Sequence, residues 1–387
     1  MLEMHEEEQT CRIEAVVAKY KTAGEIVNRT LVKLIEKCVA GASVIDICEF
    51  GDKTLTDETS MIYKKDARKG IAFPTCICVN NCICHFSPLK SETAVILAKG
   101  DVVKIDLGAH IDGFIAVVAH TIVIGATKEN KATGRKADVI LAAHKSIEAA
   151  LRLVRPGNQN AKVTEITQKV CESYKCLPIE GMLSHQLKQH EIDGEKSIIQ
   201  NPSDAQRKEH KECKFEDYEV YALDVLVSTG EGRGKEKDSR CTVYKRTEHS
   251  YQLKRRTSRM FYSEIEKKAY SMPFTLRLFE DETRARLGVT ECVQHALLDP
   301  FQVLYEKEGE FVAQFKTTVL LLPNGSAKIT GIPFDPSLYQ SQHKIEDKKV
   351  LDLLKQSYSS SNKNKNKKPA VPAAPTAPKD DAAGDKK

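Results

Sequence analysis

Four cysteines that lie close together in the sequence have residue types and spacing that suggest metal chemistry. They are Cys76, Cys78, Cys82 and Cys84, and clustered thiolates are typical zinc ligands. In a strand, however, Cys-x-Cys spacing points both thiols to one face, unlike the Cys-x-x-Cys knuckle of zinc ribbons. We therefore interpret the four residues as small apolar side chains in a buried hairpin.

A glycine-rich segment at residues 228–235, with the sequence STGEGRGK, suggests phosphate binding. Phosphate-binding loops of nucleotide-binding proteins follow the pattern Gly-x-x-x-x-Gly-Lys-Ser/Thr. In this chain Thr229 stands where the first glycine belongs, and Glu236 follows the lysine. Since the pattern fails at both positions, we interpret the segment as a flexible basic connection.

Two acids, Asp106 and Asp224, stand inside apolar runs that are typical of buried strands. Their strands are predicted over 102–107 and 218–228, and the first is followed by a turn over 108–113 and a returning strand over 114–124. Apolar spacing and turn signals predict the remaining elements: helices over 13–40, from 44, and over 136–154, 163–174, 258–270 and 279–298, and strands within 71–86 and 309–323. Helices followed by a strand with one buried acid therefore occur twice along the chain.

Five segments carry a resemblance to a known family, in this order: residues 79–82 with His85, 104–108, 181–185, 221–224 and 313–316. They resemble the motif series of the eukaryotic type 2 methionine aminopeptidases, and most closely a proliferation-associated, receptor-binding branch without peptidase activity. The resemblance covers residues 13–349. It implies an α+β "pita-bread" fold, in which two pseudo-symmetric αβ halves with a helical insertion surround a central pocket.

The resemblance also implies which residues line that pocket. Active members of the family hold two metal ions with two Asp, one His and two Glu. Asp106 matches the first Asp and His185 matches the His, whereas Val117 stands at the second Asp and cannot ligate a metal. Asp224, one methylene shorter, matches the first Glu. Lys316 stands at the last Glu, which places a cation where the family has an anion.

Electrostatic magnitudes argue against a metal centre of this kind. An ammonium ~4 Å from a dication repels it by about 8 kcal/mol at an effective dielectric constant of 20, which equals the binding free energy of a micromolar ligand. We expect the Lys316 ammonium to pair with Asp106 and Asp224 instead, and we expect neither a metal nor another cofactor. His85 matches a substrate-contacting histidine of the family, and Asp193 stands at the second such histidine.

Two alternatives stay open at this point. The first is a weak methionine aminopeptidase that works through a single metal on Asp106, His185 and Asp224. The second is a module that holds the N-termini of peptides near His85 without cleaving them. Val117 and Lys316 argue against the first alternative.

Basic residues are concentrated in parts of the sequence. The net charge of the 387 residues is only +5, but residues 233–259 contain ten Lys or Arg and three acids. Such clusters suit phosphate backbones, and we predict these residues as RNA-binding candidates: Lys64, Lys65, Arg68, Lys69, Arg233, Lys235, Lys245, Arg246, Lys254, Arg255, Arg256, Arg259, Lys363, Lys365, Lys367 and Lys368. Four nearby aromatic residues could stack on bases, although core packing is commoner: Tyr244, Tyr251, Phe261 and Tyr262.

The resemblance implies partners as well: structured RNA, the large ribosomal subunit, the cytoplasmic segment of an ErbB-family receptor, and transcriptional corepressors. The implied roles are ribosome biogenesis, translation regulation, transcriptional repression and growth regulation. Residues 350–354 are similar to the Leu-x-x-Leu-Leu helices that bind coregulators, with Val350 at the first leucine position.

Composition sets the domain boundaries and the compartment. We predict a flexible acidic N-terminus (1–12), one domain (13–355) with a helical insertion at about 247–305, and a disordered basic Pro/Ala-rich tail (356–387). No segment approaches the ~18 uninterrupted apolar residues that span a bilayer, so we expect no membrane insertion. Twelve cysteines without an export signal are expected to be reduced thiols, which predicts the cytoplasm and the nucleus, including the nucleolus.

Overall fold

A computed structural model describes residues 9–64 and 68–358 of the chain. In these residues the helices are α1 (Glu14–Lys37), α2 (Val44–Ser60), α3 (Gly134–Leu153), α4 (Asn160–Ser173), α5 (Asp204–Glu209), α6 (Arg256–Lys268), α7 (Glu282–Gln294) and α8 (Lys348–Lys355). The strands are β1 (Lys69–Val79), β2 (Cys82–Cys84), β3 (Val102–Ile111), β4 (Phe114–Val123), β5 (Ala132–Thr133), β6 (Leu177–Pro178), β7 (Leu183–Leu187), β8 (Ser197–Ile199), β9 (Val220–Ser228), β10 (Lys235–Glu236), β11 (Val243–Arg246), β12 (Phe274–Thr275), β13 (Leu298–Pro300), β14 (Leu304–Tyr305), β15 (Val312–Leu322), β16 (Gly325–Lys328) and β17 (Tyr339–Gln340).

Several predictions concern residues outside the described ranges. They are the acidic start of the N-terminus, within 1–8, and the part of the basic tail from 359 to 387. The RNA-binding candidates Lys65, Lys363, Lys365, Lys367 and Lys368 also lie outside the described residues.

The central sheet has the strand order β1-β3-β4-β15-β9-β7-β8 and consists of two antiparallel halves. In the first half, α1 and α2 pack against β1, β3 and β4. In the second half, α3 packs against β9 and β15, and α4 packs against α3. β3 is buried along its whole length, which explains why its sequence is a nearly continuous apolar run around Asp106. The fold is therefore α+β, with two αβ halves on one continuous sheet.

The two halves meet where β4 lies beside β15, and we refer to this contact as the seam. Lys316 and Ala119 form the ladder pair between these two strands in the described part of the chain. Beside that pair, a hydroxyl replaces direct backbone pairing. The Thr121 hydroxyl donates to the Gln314 carbonyl at 2.7 Å and accepts from the Gln314 N–H at 2.8 Å.

On the other side of the ladder pair, a hydroxyl again replaces direct backbone pairing. The Thr318 hydroxyl accepts from the Val117 N–H at 2.9 Å and donates to the Val117 carbonyl at 3.0 Å. The Thr330 hydroxyl also donates to this carbonyl, at 2.7 Å. All of these groups are buried, so the hydroxyls satisfy backbone groups that would otherwise lack a partner.

The predicted helices and strands are present, with two differences in detail. The turn predicted over 108–113 is wrong in extent, because β3 continues to Ile111 and only Asp112 and Gly113 separate it from β4. The predicted cysteine hairpin is also incomplete. The turn at Asn80 is bonded to distant segments, with its N–H on the Val102 carbonyl, and β2 leaves β1 to pair with β14.

Residues 247–305 contain α6 and α7. That this segment is an insertion into the family's fold stays a prediction. The two helices and the small sheet β12-β11-β13 surround an apolar cluster of their own. A buried ion pair connects this unit to the rest of the molecule, since Arg277 lies 2.6 Å from Asp52 of α2. No helix within the described ranges is long and apolar enough to cross a membrane.

Candidate functional site

The two buried acids belong to one row of residues that crosses the seam. Asp106 lies opposite Ala119, Ala119 opposite Lys316, and Lys316 opposite Asp224. Directly opposite residues of neighbouring strands point to the same face of a sheet, so these side chains converge. Ala119 is small and leaves room for the lysine to reach across to Asp106.

The Lys316 ammonium lies between the two carboxylates. Its Nζ is 2.6 Å from Asp106 Oδ2 and 3.0 Å from Asp224 Oδ2, and it lies 5.2 Å from the centre of the Phe73 ring. Burial disfavours the ammonium, but Asp106 and Asp224 outweigh it and raise the pKa of Lys316 above its ordinary value. The expected pairing of this lysine with both carboxylates is therefore present.

Gln314 is a pocket residue that the sequence analysis missed. Its Nε2 donates to Asp224 Oδ1 at 2.9 Å and lies 3.3 Å from Asp106 Oδ2. Burial and the neighbouring Asp106 raise the pKa of Asp224, although Lys316 opposes this shift. Gln314 precedes Lys316 by two residues in β15 and so points to the same face, a signal that was available in the sequence.

Val117 takes part in the seam and in the apolar core. Its backbone is bonded to Thr318 and Thr330, as described above, and its side chain lies in an apolar cluster with Phe114 and Leu320. A methyl group added to Gly108 would lie 2.7 Å from Val117 Cγ1, so the space around the valine is filled. This position contributes packing and no polar atom to the pocket.

His85 lines an aromatic wall of the pocket. Its Nδ1 is 3.0 Å from the Gln302 carbonyl oxygen, and its ring centre lies 5.2 Å from that of Phe301 and 6.0 Å from that of Phe73. Burial lowers the pKa of His85 to about 4. The imidazole is therefore neutral at physiological pH.

His185 lies in β7, opposite Ala222 of β9. Its Nδ1 is buried and has no hydrogen-bond partner, and burial lowers its pKa although Asp193 and Asp224 oppose this. Asp193 itself forms an ion pair with Lys245 of β11. The Asp193–Lys245 ion pair therefore connects the second half to residues 243–246.

Within the described parts of the chain, no three His, Cys, Asp or Glu side chains are arranged so that they could hold a metal ion. The four clustered cysteines are buried free thiols.

The basic candidates at the start of α6 form an exposed group. Lys254, Arg255 and Arg256 are exposed. Within the described residues, the side chains of Lys254 and Arg256 form no ion pair. Arg259 donates from its guanidinium to the carbonyls of Leu253 at 3.0 Å and Lys254 at 2.7 Å, which fixes the loop that presents the other three cations.

Other basic candidates interact with neighbouring groups. Arg246 is 3.1 Å from Glu266 and 5.1 Å from the centre of the Tyr262 ring, and Arg68 is 4.8 Å from that of Tyr270. Lys245 and Arg246 both line the cleft formed by residues 189–193, 245–249 and 271.

The remaining described candidates lie elsewhere. Arg233 is 3.2 Å from Glu180, and Lys235 is exposed in β10. Lys64 is exposed, and Lys69 donates to the Tyr63 carbonyl at 2.9 Å. The structure therefore does not bring all the basic candidates together on one surface.

The four aromatic residues near the basic segment have different environments. Tyr244 and Phe261 are buried in the core around α6 and α7, which is the commoner of the two roles considered for them. Tyr251 stacks on His295, with ring centres 3.6 Å apart. Tyr262 lies beneath Arg246.

Comparison with known proteins places this geometry in a family. Residues 18–234 match the model of metallopeptidase family M24. The ErbB-3 binding protein 1 of Arabidopsis thaliana is 51% identical over 333 residues, which cover 85% of this chain and 83% of that protein. The curved DNA-binding protein of Schizosaccharomyces pombe is 44% identical over 359 residues, 92% of this chain and 93% of that protein. The names of both relatives describe binding rather than catalysis.

Two solved structures support the same assignment. The structure of a thermophilic Arx1 has 35% sequence identity to this chain and a TM-score of 0.83. The match covers 89% of this chain and 98% of that chain. The methionine aminopeptidase of Thermotoga maritima has 18% sequence identity and a TM-score of 0.56. The match covers 83% of this chain and 98% of that chain, and it supports the fold alone. The chain therefore belongs to metallopeptidase family M24 and has its aminopeptidase-like, pita-bread α+β fold.

Proposed function

We propose that this chain is a non-catalytic member of the M24 family that binds structured RNA, including RNA of the large ribosomal subunit. The exposed cations at the start of α6 carry the RNA-binding part of this proposal. The ion pairs of Lys316 carry the non-catalytic part.

The pocket residues do not fit two metal ions. A dinuclear site needs carboxylates that bridge two dications, but Lys316 occupies the space between Asp106 and Asp224 with its own positive charge. Val117, at the position that the resemblance assigns to the second Asp, has no side-chain oxygen atom that could bind a metal. Since the lysine is held by both acids, its charge would have to be removed before a dication could bind between them.

Metal uptake by variants tests the loss of the centre. We propose to measure bound Mn²⁺ or Co²⁺ by elemental mass spectrometry in the natural chain and in the triple variant Val117→Asp/Asp224→Glu/Lys316→Glu. We expect less than about a tenth of an ion per natural chain and a clear gain in the variant, because it regains the oxygen ligands that dinuclear sites need. Close to two ions in the natural chain would refute the proposal.

A single-metal aminopeptidase on Asp106, His185 and Asp224 is the catalytic alternative. Two of these three ligands form ion pairs with Lys316, and the free Nδ1 of His185 is the remaining donor. Stoichiometric binding of one ion together with release of methionine from a Met-initiated peptide would support this alternative over the proposed function. Protection of the pocket by such a peptide without cleavage would instead indicate a module that holds peptide N-termini.

RNA binding is supported by cations that are free to contact phosphates. Lys254 and Arg256 are exposed, and the Arg259 guanidinium fixes their loop. Exposed cations that have no acid partner release counterions when they bind phosphate, which favours association with nucleic acid. The name of the curved DNA-binding relative agrees with a nucleic-acid ligand.

Neutralisation of these cations tests RNA binding. We expect Lys254→Gln/Arg256→Gln to weaken binding to a hairpin RNA and to purified large ribosomal subunits by about tenfold, and to reduce the slope of log K against log salt by about two. The matched control is Lys162→Gln/Lys169→Gln in α4, where both lysines are exposed. Equal behaviour of the two double variants would refute this assignment.

The resemblance and the name of the Arabidopsis relative further support an ErbB-family receptor segment and transcriptional corepressors as partners, with the chain in the cytoplasm and the nucleus, including the nucleolus. The coregulator-like segment does not favour docking in its present position. Val350 is buried, and Leu353 and Leu354 pack against the core formed by α3 and α4. Binding through this helix would require α8 to leave that core.

A further inference from the structure

Lys104 is a buried lysine whose charge has no carboxylate partner. It is 1% exposed, and its Nζ donates at 2.9 Å to the carbonyls of Asn80 and of Val312. Within the described ranges, no ion pair joins it to an acid. A buried ammonium without a counter-charge is unfavourable, so its neighbours must be considered as possible anions.

The neighbours are cysteine thiols. Cys78 lies directly opposite Lys104 in the ladder between β1 and β3, which places the two side chains on one face, with Cβ atoms about 5 Å apart. The Phe86 N–H donates to Cys78 Sγ at 3.4 Å, and Cys82 lies in the same small buried cluster as Cys78 and Val303. Burial opposes ionisation, but the neighbouring Cys82, Lys104 and the Phe86 N–H outweigh it and lower the pKa of Cys78. All of these contacts favour a sulfur anion.

We propose that Cys78 and Cys82 form a peroxide-reactive redox site, in which Cys78 is the nucleophile and Cys82 the resolving thiol. The Cys78 thiolate attacks one oxygen of hydrogen peroxide, the O–O bond breaks, and the leaving hydroxide takes up a proton to become water. The product is a sulfenic acid at Cys78. The Cys82 sulfur then attacks the Cys78 sulfur, the S–O bond breaks, and water leaves with the Cys82 proton as the disulfide forms.

The surroundings of the other thiols select this pair. Burial, followed by the charge of Cys78, raises the pKa of Cys76 well above its ordinary value, and Cys76 lies opposite the acid Asp106. Burial raises the pKa of Cys82 well above its ordinary value, so Cys82 is not the thiolate that attacks the peroxide, and it gives up its proton only when it attacks the sulfenic acid. Only the turn 79–81 separates Cys78 from Cys82, and Cys82 lies opposite the partly exposed Tyr305 of β14. The turn residues Asn80 and Asn81 are partly exposed as well, and the proposal requires that hydrogen peroxide enters beside this turn.

The order of oxidation tests the proposal in the full, reduced chain. Hydrogen peroxide is added, free thiols are alkylated, and peptides are mapped by mass spectrometry without reduction. Cys213 and Cys241 are more exposed than the clustered cysteines, so exposure alone predicts that they react first. We expect the Cys78–Cys82 disulfide to form at least about tenfold faster, because thiolate character governs reactivity. Earlier oxidation of Cys213 or Cys241 would overturn the proposal.

Variants separate the roles of the two cysteines. Cys82→Ser should abolish the disulfide and leave a sulfenic acid at Cys78 that a cyclic 1,3-diketone probe traps, whereas Cys84→Ser should still form the disulfide. Lys104→Met, if circular dichroism shows that it folds, should slow the reaction of Cys78. A disulfide that involves Cys84 in the natural chain, or no trapped sulfenic acid in Cys82→Ser, would contradict the assigned roles.

Discussion

Lys316 stabilises the pocket by compensating the charge of two buried carboxylates. Asp106 and Asp224 lie within 3.0 Å of its Nζ, and the three side chains are 6–14% exposed. Buried ion pairs of this kind add little when complete, but removal of one member leaves an uncompensated charge. The lysine is therefore required for the stability of the present pocket.

Replacement of this lysine should destabilise the fold in a way that depends on pH. We expect Lys316→Met to lower the free energy of unfolding by about 3–5 kcal/mol at pH 7. Burial and the neighbouring Asp106 raise the pKa of Asp224 above its ordinary value of 3.8 although Lys316 opposes them, so removal of the lysine should raise it further, and a proton should bind more tightly to the folded than to the unfolded chain. Stability must then fall as the pH rises through this range. Urea unfolding at pH 5 and pH 7.5 measures the difference.

Lys328→Met is the matched control for this experiment. Burial lowers the pKa of Lys328, and no ion pair joins it to an acid in the described part of the chain. Its replacement leaves no buried carboxylate uncompensated and should therefore cost much less than that of Lys316. A Lys316→Met cost that is small, or that is largest at pH 5, would contradict the charge-compensation argument.

The sequence indicated that Lys316 pairs with Asp106 and Asp224, because this lysine stands where the family has a Glu and therefore lies beside the acids that remain. It did not indicate the Asp193–Lys245 ion pair, since the two residues lie in separate segments and no periodicity relates them. Gln314 was missed although it shares a strand face with Lys316. Short-range patterns therefore predicted the central part of the site, and only the folded chain identified the contacts that bring in remote segments.

At the scale of elements, a buried arginine attaches the helical unit of α6 and α7 to the first half. The Arg277 guanidinium lies 2.6 Å from Asp52 and donates to Ser87 Oγ at 2.8 Å and to the Pro88 carbonyl at 2.9 Å. One side chain therefore connects the segment 276–278 to α2 and to the loop after β2. This attachment also holds the basic start of α6 in a fixed position relative to the sheet.

Loss of the arginine should loosen this unit selectively. We expect Arg277→Leu to cost about 3–5 kcal/mol, because Asp52 would become an unpaired buried charge. Hydrogen exchange should accelerate in residues 256–294 before it does so in β3 or β9. The control Lys53→Leu removes an exposed ion pair from the same helix and should cost about 0.5 kcal/mol or less. Equal exchange in both variants would show that the arginine does not anchor the unit.

The C-terminal helix α8 offers a second test at this scale. Val350 is fully buried whereas Leu351 is 37% exposed. We expect Val350→Ala to lower stability by about 2 kcal/mol, through lost burial and an unfilled space, and Leu351→Ala to change it by about 0.5 kcal/mol or less. Thermal unfolding of the two variants measures the contrast. The opposite order would mean that α8 does not use this face to pack in solution.

Element predictions succeeded where the apolar pattern was long and failed where pairing was decided by distant residues. The helices α1, α3 and α4 were predicted to within a few residues because each has a continuous apolar stripe. The cysteine hairpin was only partly correct, since β2 is too short to specify its partner and pairs with β14, more than 200 residues later in the chain. Sequence periodicity defines the face of a strand but not its neighbour.

At the scale of the whole molecule, the seam joins the two αβ halves into one continuous sheet. Around the ladder pair of Lys316 and Ala119, hydroxyl bridges from Thr121 and Thr318 replace direct backbone pairing. The resemblance predicted two halves around a pocket, but it gave no indication of how they are joined. Threonine is common in strands, so these two residues have no distinct signal in the sequence.

Removal of the hydroxyl bridges should therefore affect both halves. We expect Thr121→Val and Thr318→Val each to cost about 1–3 kcal/mol, because buried backbone groups of the opposite strand lose their partners while the side-chain shape is kept. Thr121→Val affects both the N–H and the C=O of Gln314, whereas Thr318→Val leaves the Val117 N–H unpaired and the Val117 C=O bonded to Thr330. The control Thr290→Val removes an exposed hydroxyl that bonds within α7 and should change stability by about 0.5 kcal/mol or less.

The double variant Thr121→Val/Thr318→Val distinguishes a joint between the halves from two independent local bonds. If the bridges couple the halves, their combined loss should split the single denaturant transition, or lower its m-value, since less surface would then be exposed in each cooperative step. Hydrogen exchange followed separately in β3 and β9 would identify which half opens first. An additive cost with one transition and an unchanged m-value would place the coupling elsewhere, in the Lys316 ion pairs, which cross the same seam and remain intact in this variant.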